Sequence, residues 1–104
     1  MEDNRKYLEN IRTELITIEN GDIDDYNFYD YIAENVLDVT YIINGDKTYR
    51  AVELCIGFGG PNVYIDTRTQ ELQLYWGSNH ETLPLPENVC DELDEIYYEF
   101  YNEA

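Results

Sequence analysis

Positive charge is what this chain has least of. Lys and Arg together number 6 in 104 residues, against 23 Asp and Glu, giving a formal net charge of −17. Such a balance excludes direct binding of DNA or RNA, whose phosphates need cations, and it disfavours nucleotides and anionic membranes. Long apolar runs are missing too: nothing approaches the roughly 20 residues that cross a bilayer. The opening "MEDNRKYLENIR" has no apolar segment of the signal-peptide kind. A cytoplasmic protein is expected.

Several chemistries lack their residues. Cys55 and Cys90 have no metal-ligand spacing, so free buried thiols are expected rather than a disulfide. His80, the only His, lies in "GSNHET" near Ser78 and Glu81, but sequence neighbours do not make a triad. An exposed or turn-stabilising role in a loop is expected for it. "DIDDYNFYD" (22–30) lacks the central Gly and closing Glu of an EF-hand loop. "GFGGP" (57–61) has no following Lys and no strand-to-helix setting, which excludes a phosphate loop. Among 23 acids, no pair is singled out for glycoside chemistry. No enzymatic activity, metal or cofactor is expected.

What is present suffices for a folded domain. Hydrophobic residues make up 43% of the chain and aromatic residues 14%, enough for burial to compete with chain entropy. The length fits one domain over 1–104. Tyr7, Leu8, Ile11, Leu15 and Ile18 recur at helical spacing over 3–19, and "NGD" (20–22) ends that segment. A second helix is expected over 25–36, capped by Asp24 or Asp25, with Tyr29, Ile32, Ala33 and Val36 as its apolar stripe.

The period then changes to two. Leu37, Val39, Tyr41 and Ile43 mark one strand, and "NGD" (44–46) predicts a type I′ hairpin turn. Val52, Leu54, Ile56 and Phe58 mark one face of a second strand over 48–58. "NVYID" and "ELQLYW" flank the turn "TRTQ", with Val63, Ile65, Leu72, Leu74 and Trp76 on a shared core face. Pro84 and Pro86 mark a loop, and a last helix spans 87–101. The expected fold is α+β: a four-stranded antiparallel meander with two N-terminal helices and one C-terminal helix, in the order ααββββα.

The charge layout is the most informative feature. Positions 13–46 hold nine acids and no Lys or Arg, and so do positions 69–104. On the last helix, Val89, Leu93, Ile96 and Phe100 cluster on one side, flanked by Tyr97; Asp91, Glu95, Tyr98 and Asn102 point away, with Asp94 and Glu99 between. A wet helix face is the ordinary reading of such a pattern. Such faces, however, usually mix Glu with Lys at i,i+4, gaining about 0.2–0.5 kcal/mol per pair, while like charges lose as much. Here Glu87, Asp91, Glu95, Glu99 and Glu103 follow one another at that spacing with no cation between them. Glu99 and Glu103 also lie near the negative end of the helix dipole. The first helix pairs Glu2 with Lys6 and Arg5 with Glu9 in the ordinary way, so the same chain can balance a helix.

An uncompensated face implies a partner that reads negative charge. The expected contact residues are Asp22, Asp24, Asp25, Asp30 and Glu34 in the first acidic block, and Asp91, Asp94, Glu95, Tyr98 and Glu99 in the second. Carboxylates at i,i+4 are about 6 Å apart along a helix, so a row of them approximates the phosphates of a DNA strand. Tyr26, Tyr29, Tyr31, Tyr98 and Tyr101 supply aromatic groups of the kind enriched at interfaces, but some Tyr must be core, and Tyr29, Tyr41 and Tyr97 are expected to be mainly structural.

Small, single-domain, strongly acidic chains with Tyr-rich acidic helices such as "DELDEIYYEFYNEA" (91–104) resemble the DNA-mimic inhibitors of phages and mobile elements, the anti-CRISPR and anti-restriction proteins. "GGPNVYIDTRTQELQLYWG" (59–77) followed by "DELDEIYYEFY" (91–101) is also similar to a pattern in small proteins of Firmicute mobile elements, to which no activity attaches. The class resemblance implies a non-enzymatic inhibitor in a bacterial cytoplasm that occupies the DNA channel of a CRISPR effector or a restriction enzyme. The alternatives are an acidic adaptor or immunity-type protein for another basic partner, and a halophilic domain whose acids serve solvation.

Overall fold

The structure, a computed structural model, describes the backbone of residues 2–103 and the side chains of residues 3–103. The first helix, α1 (Glu2–Glu19), buries Leu8, Ile11, Leu15 and Ile18, while Tyr7 falls outside the stripe and is exposed. It ends in a Schellman motif. Gly21 takes the left-handed conformation (φ 75°), its N–H bonds to the Ile18 carbonyl, and the Asp22 N–H bonds to that of Thr17.

The second helix, α2 (Phe28–Asn35), begins later than expected. Its N-cap is Asn27, not Asp24 or Asp25. The Asn27 side chain accepts from the Asp30 N–H at 3.2 Å, and the Asp30 carboxylate accepts from the Asn27 N–H at 2.9 Å, a complete capping box. This start rotates the buried stripe. Phe28 and Tyr31 go inside, Tyr29 is 51% exposed, and Ala33 is exposed.

Five strands follow: β1 (Asp38–Ile43), β2 (Tyr49–Gly57), β3 (Asn62–Asp66), β4 (Glu71–Trp76) and β5 (Asn79–Pro84). They form one antiparallel meander in sequence order. The four-strand expectation is therefore corrected. "NHETLP", read as loop, is the fifth strand. Its hairpin turns on Gly77–Ser78, with Gly77 at φ 60° and Trp76 paired with Asn79, which suits a two-residue turn with Gly first. The β1–β2 hairpin forms where "NGD" placed it, but by a different turn. The Lys47 N–H closes on the Asn44 carbonyl at 2.9 Å, and Lys47 itself (φ 70°) is the left-handed residue. A three-residue loop of this kind replaces the type I′ turn.

Leu54, Ile65, Leu72 and Leu83 stand opposite one another across four strands, and α1 and α3 (Glu87–Glu103) pack on their side of the sheet. Two expected core residues lie outside this row. A bulge between Cys55 and Gly57 breaks the alternation before Phe58, which is 77% exposed. Trp76, next to the β4–β5 turn, is also exposed. Cys55 and Cys90 are buried free thiols. Burial and the nearby Asp94, Asp91 and Asp66 push Cys90 up to about 12, so it stays a thiol at neutral pH.

Candidate functional site

The two acidic blocks meet. The N-terminal turn of α2 and one side of α3 enclose an open groove of about 240 Å³. Asn27, Phe28 and Tyr29 form one wall; Glu92, Glu95, Ile96 and Glu99 form the other. Tyr29 packs edge-on against Phe100 at 6.2 Å between ring centroids, pinning the helices together. The groove thus has an apolar floor with three carboxylates along one rim. Glu92 was not among the expected contact residues, although its place on α3 one turn before Ile96 would have revealed it.

Electrostatics mark the same place. Burial raises the Glu92 carboxyl above its ordinary value, and the neighbouring charges of Glu19 and Glu95 raise it further. The unfolded chain therefore loses this proton at lower pH than the folded protein. Glu92 favours folding at acid pH, and that contribution is lost as pH rises through its raised value. Glu92→Gln is accordingly expected to melt higher than wild type at pH 7, with the difference vanishing below about pH 4. Calorimetry at the two pH values checks it.

Three of the six cations, Arg5, Arg12 and Arg68, are engaged elsewhere. Arg12 donates to the Pro84 carbonyl at 2.9 Å, and Arg5 donates to that of Thr82 at 3.2 Å, both on β5. The ion pairs among the described residues join Arg5 to Glu9 and Arg68 to Asp66, each at 3.7 Å. Neither touches α2 or α3. The Glu2–Lys6 pair lies outside the described residues. The α1 acids nearest the other helices act on them: Glu19 on Glu92, and Glu14 on Tyr26 and Tyr31.

Not every expected contact residue belongs to this surface. Glu95 and Glu99 line the groove, and Asp91 and Tyr98 are exposed on α3 beside it. Asp22, Asp24 and Asp25 are exposed in the loop before α2, where Asp25 holds φ 55°. Asp30 is engaged in the capping box, and Glu34 accepts the Tyr26 hydroxyl at 2.8 Å. Tyr31, expected as interface surface, is 2% exposed, whereas Tyr29, expected to be mainly structural, lines the groove.

Asp94 turns the other way, toward the sheet. It accepts the Tyr49 hydroxyl at 2.6 Å and the Thr67 hydroxyl at 2.8 Å. The Thr67 oxygen in turn accepts the Val52 N–H at 2.9 Å. Asp94 anchors α3 to β2 and to the residue that follows β3, and it is half-buried. Asp94→Ala strands the Tyr49 hydroxyl and leaves that of Thr67 only the Val52 carbonyl at 3.2 Å, and it is expected to cost about 2 kcal/mol in urea unfolding.

Comparison with known proteins returns nothing: no family model, no curated protein and no solved structure matches the chain. Among the described residues, no helix is long and apolar enough to cross a membrane, and no group of His, Cys, Asp and Glu could hold a metal ion.

Proposed function

We propose that the protein is a non-enzymatic inhibitor that binds a basic nucleic-acid-binding protein, in the manner of an acidic DNA mimic. A bacterial defence nuclease, a CRISPR effector or a restriction enzyme, is the favoured target. The observation that carries this reading is the convergence of two cation-free segments on one groove. Glu92, Glu95 and Glu99 line it, with Tyr29 opposite, and burial with the charges of Glu19 and Glu95 raises the Glu92 carboxyl. Self-repulsion of this kind is relieved when a cationic partner arrives. A partner Arg or Lys can lay its apolar stem on the exposed ring of Tyr29 and its charged end on the carboxylates. An acidic adaptor or immunity-type protein for another basic partner would use the same surface.

Competition distinguishes the two. The protein is mixed with a candidate nuclease and labelled DNA, and DNA binding is followed as salt rises. A mimic displaces DNA, and its own affinity for the nuclease falls steeply with salt. A nuclease that binds the protein and DNA together overturns mimicry and leaves the adaptor reading.

A further inference from the structure

We infer that the outer edge of β1 is a self-association surface, on which a second copy of this chain pairs to continue the sheet. This rests on the sheet alone and is independent of the proposed inhibitory role. A five-stranded meander has two edges, and the chain treats them differently. At β5, the outward carbonyls of Thr82 and Pro84 are taken by Arg5 and Arg12. Pro84 has no N–H to offer. That edge is closed to another strand.

At β1 the edge is open. The Thr67 N–H bonds to Val52 and the Leu37 N–H to Cys55, so odd-numbered β2 residues face β1. By antiparallel alternation, Asp38, Thr40 and Ile42 turn their backbone groups to β2, while Val39, Tyr41 and Ile43 turn theirs outward. Among the described residues, no hydrogen bond takes these outward groups. Two exposed apolar residues flank them, Leu37 at 63% and Ile43 at 44%.

The occupant is specified by self-complementarity. A two-fold axis at Tyr41 pairs Val39 with Ile43 of the second copy and satisfies all three outward N–H groups on each side. The same register makes Leu37 and the other copy's Ile43 diagonal neighbours on one face. It also brings the loop that follows β1, with Lys47, toward the other copy's Asp38 end, while the Asp46 carboxylate in that loop is taken up by the Thr48 N–H and hydroxyl. One of the chain's few cations thus faces an acid on each side of the axis. A basic or neutral peptide would gain nothing from Lys47.

Sedimentation equilibrium over a concentration and salt series tests this. The expected result is a dimer whose dissociation constant falls as salt screens the two acidic copies, opposite to the salt response of a basic partner. Val39→Pro, which removes an outward N–H without breaking the β1–β2 ladder, is expected to weaken the dimer at least tenfold. Amide exchange in the wild type gives a second reading that needs no variant. The Val39, Tyr41 and Ile43 amides should be protected at high concentration and lose protection on dilution, while Thr40 and Ile42 stay protected. A monomer at every concentration and salt, or a dimer with these three amides unprotected, overturns the inference. So does protection that appears only with a different protein.

Discussion

Replacing Asp91 and Glu95 with Lys is expected to abolish competition with DNA while leaving the protein folded and at least as stable. Both residues are exposed on α3, and Glu95 lines the groove. In the wild type, Glu87–Asp91 and Glu95–Glu99 are repulsive i,i+4 pairs; in the variant both become attractive, and the 91–95 pair stays like-charged. The swing is worth roughly 1–2 kcal/mol in favour of the helix. Against a cationic channel the same change replaces two attractions with two repulsions. Loss of about 100-fold or more in affinity, roughly 3 kcal/mol, is the expected outcome. Lower affinity with a higher melting temperature is a combination that damage to the fold cannot produce. If the variant competes as well as wild type, the α3 face is not the contact surface.

Much of the fold was legible because its signals are local. The change from helical to two-residue periodicity, the Gly21 stop and the paired strands around "TRTQ" each follow from neighbouring residues. The fifth strand was missed because "NHETLP" carries almost no apolar alternation; only Leu83 is buried. Its legible mark was the Gly-Ser pair in front of it, a hairpin signal that the two prolines obscured. The phase of α2 was misread for a related reason. Three aspartates precede it, yet the cap is Asn27, chosen by the reciprocal bond with Asp30 three residues on. That choice exchanged Tyr29 and Tyr31 between surface and core.

The acidic character of the site was plain from the sequence, but its geometry was not. Charge runs say that α2 and α3 are unbalanced; they do not say that the helices touch. Tyr29 and Phe100 make that contact across about seventy residues of chain. The flanks of α3 were likewise ambiguous. Asp94 and Glu99 sit symmetrically about the outward face, yet one reaches hydroxyls beneath the helix and the other borders the groove. Tyr49 and Thr67, distant in sequence, decide this. The pairing of Arg5 and Arg12 with β5 carbonyls is equally nonlocal, and it leaves the α1 acids facing the second helix and the groove uncompensated.

Leu93→Ala probes the opposite face of the same helix. Leu93 is fully buried in the core cluster, one residue before Asp94 and two before Glu95. Truncation removes its methyl groups and leaves a cavity that the sheet beneath cannot fill, at an expected cost of about 3 kcal/mol. Against a total of about 5–15 kcal/mol for a domain of ordinary stability, this is a large fraction, and the urea midpoint should fall accordingly. Affinity measured well below the midpoint should change little, because the carboxylates keep their places when the helix stays docked. The charge-reversed variant should behave the opposite way, with stability kept and binding lost. If Leu93→Ala instead loses affinity while still fully folded, the groove depends on how tightly α3 seats on the sheet. Binding and packing would then be one property of this helix rather than two.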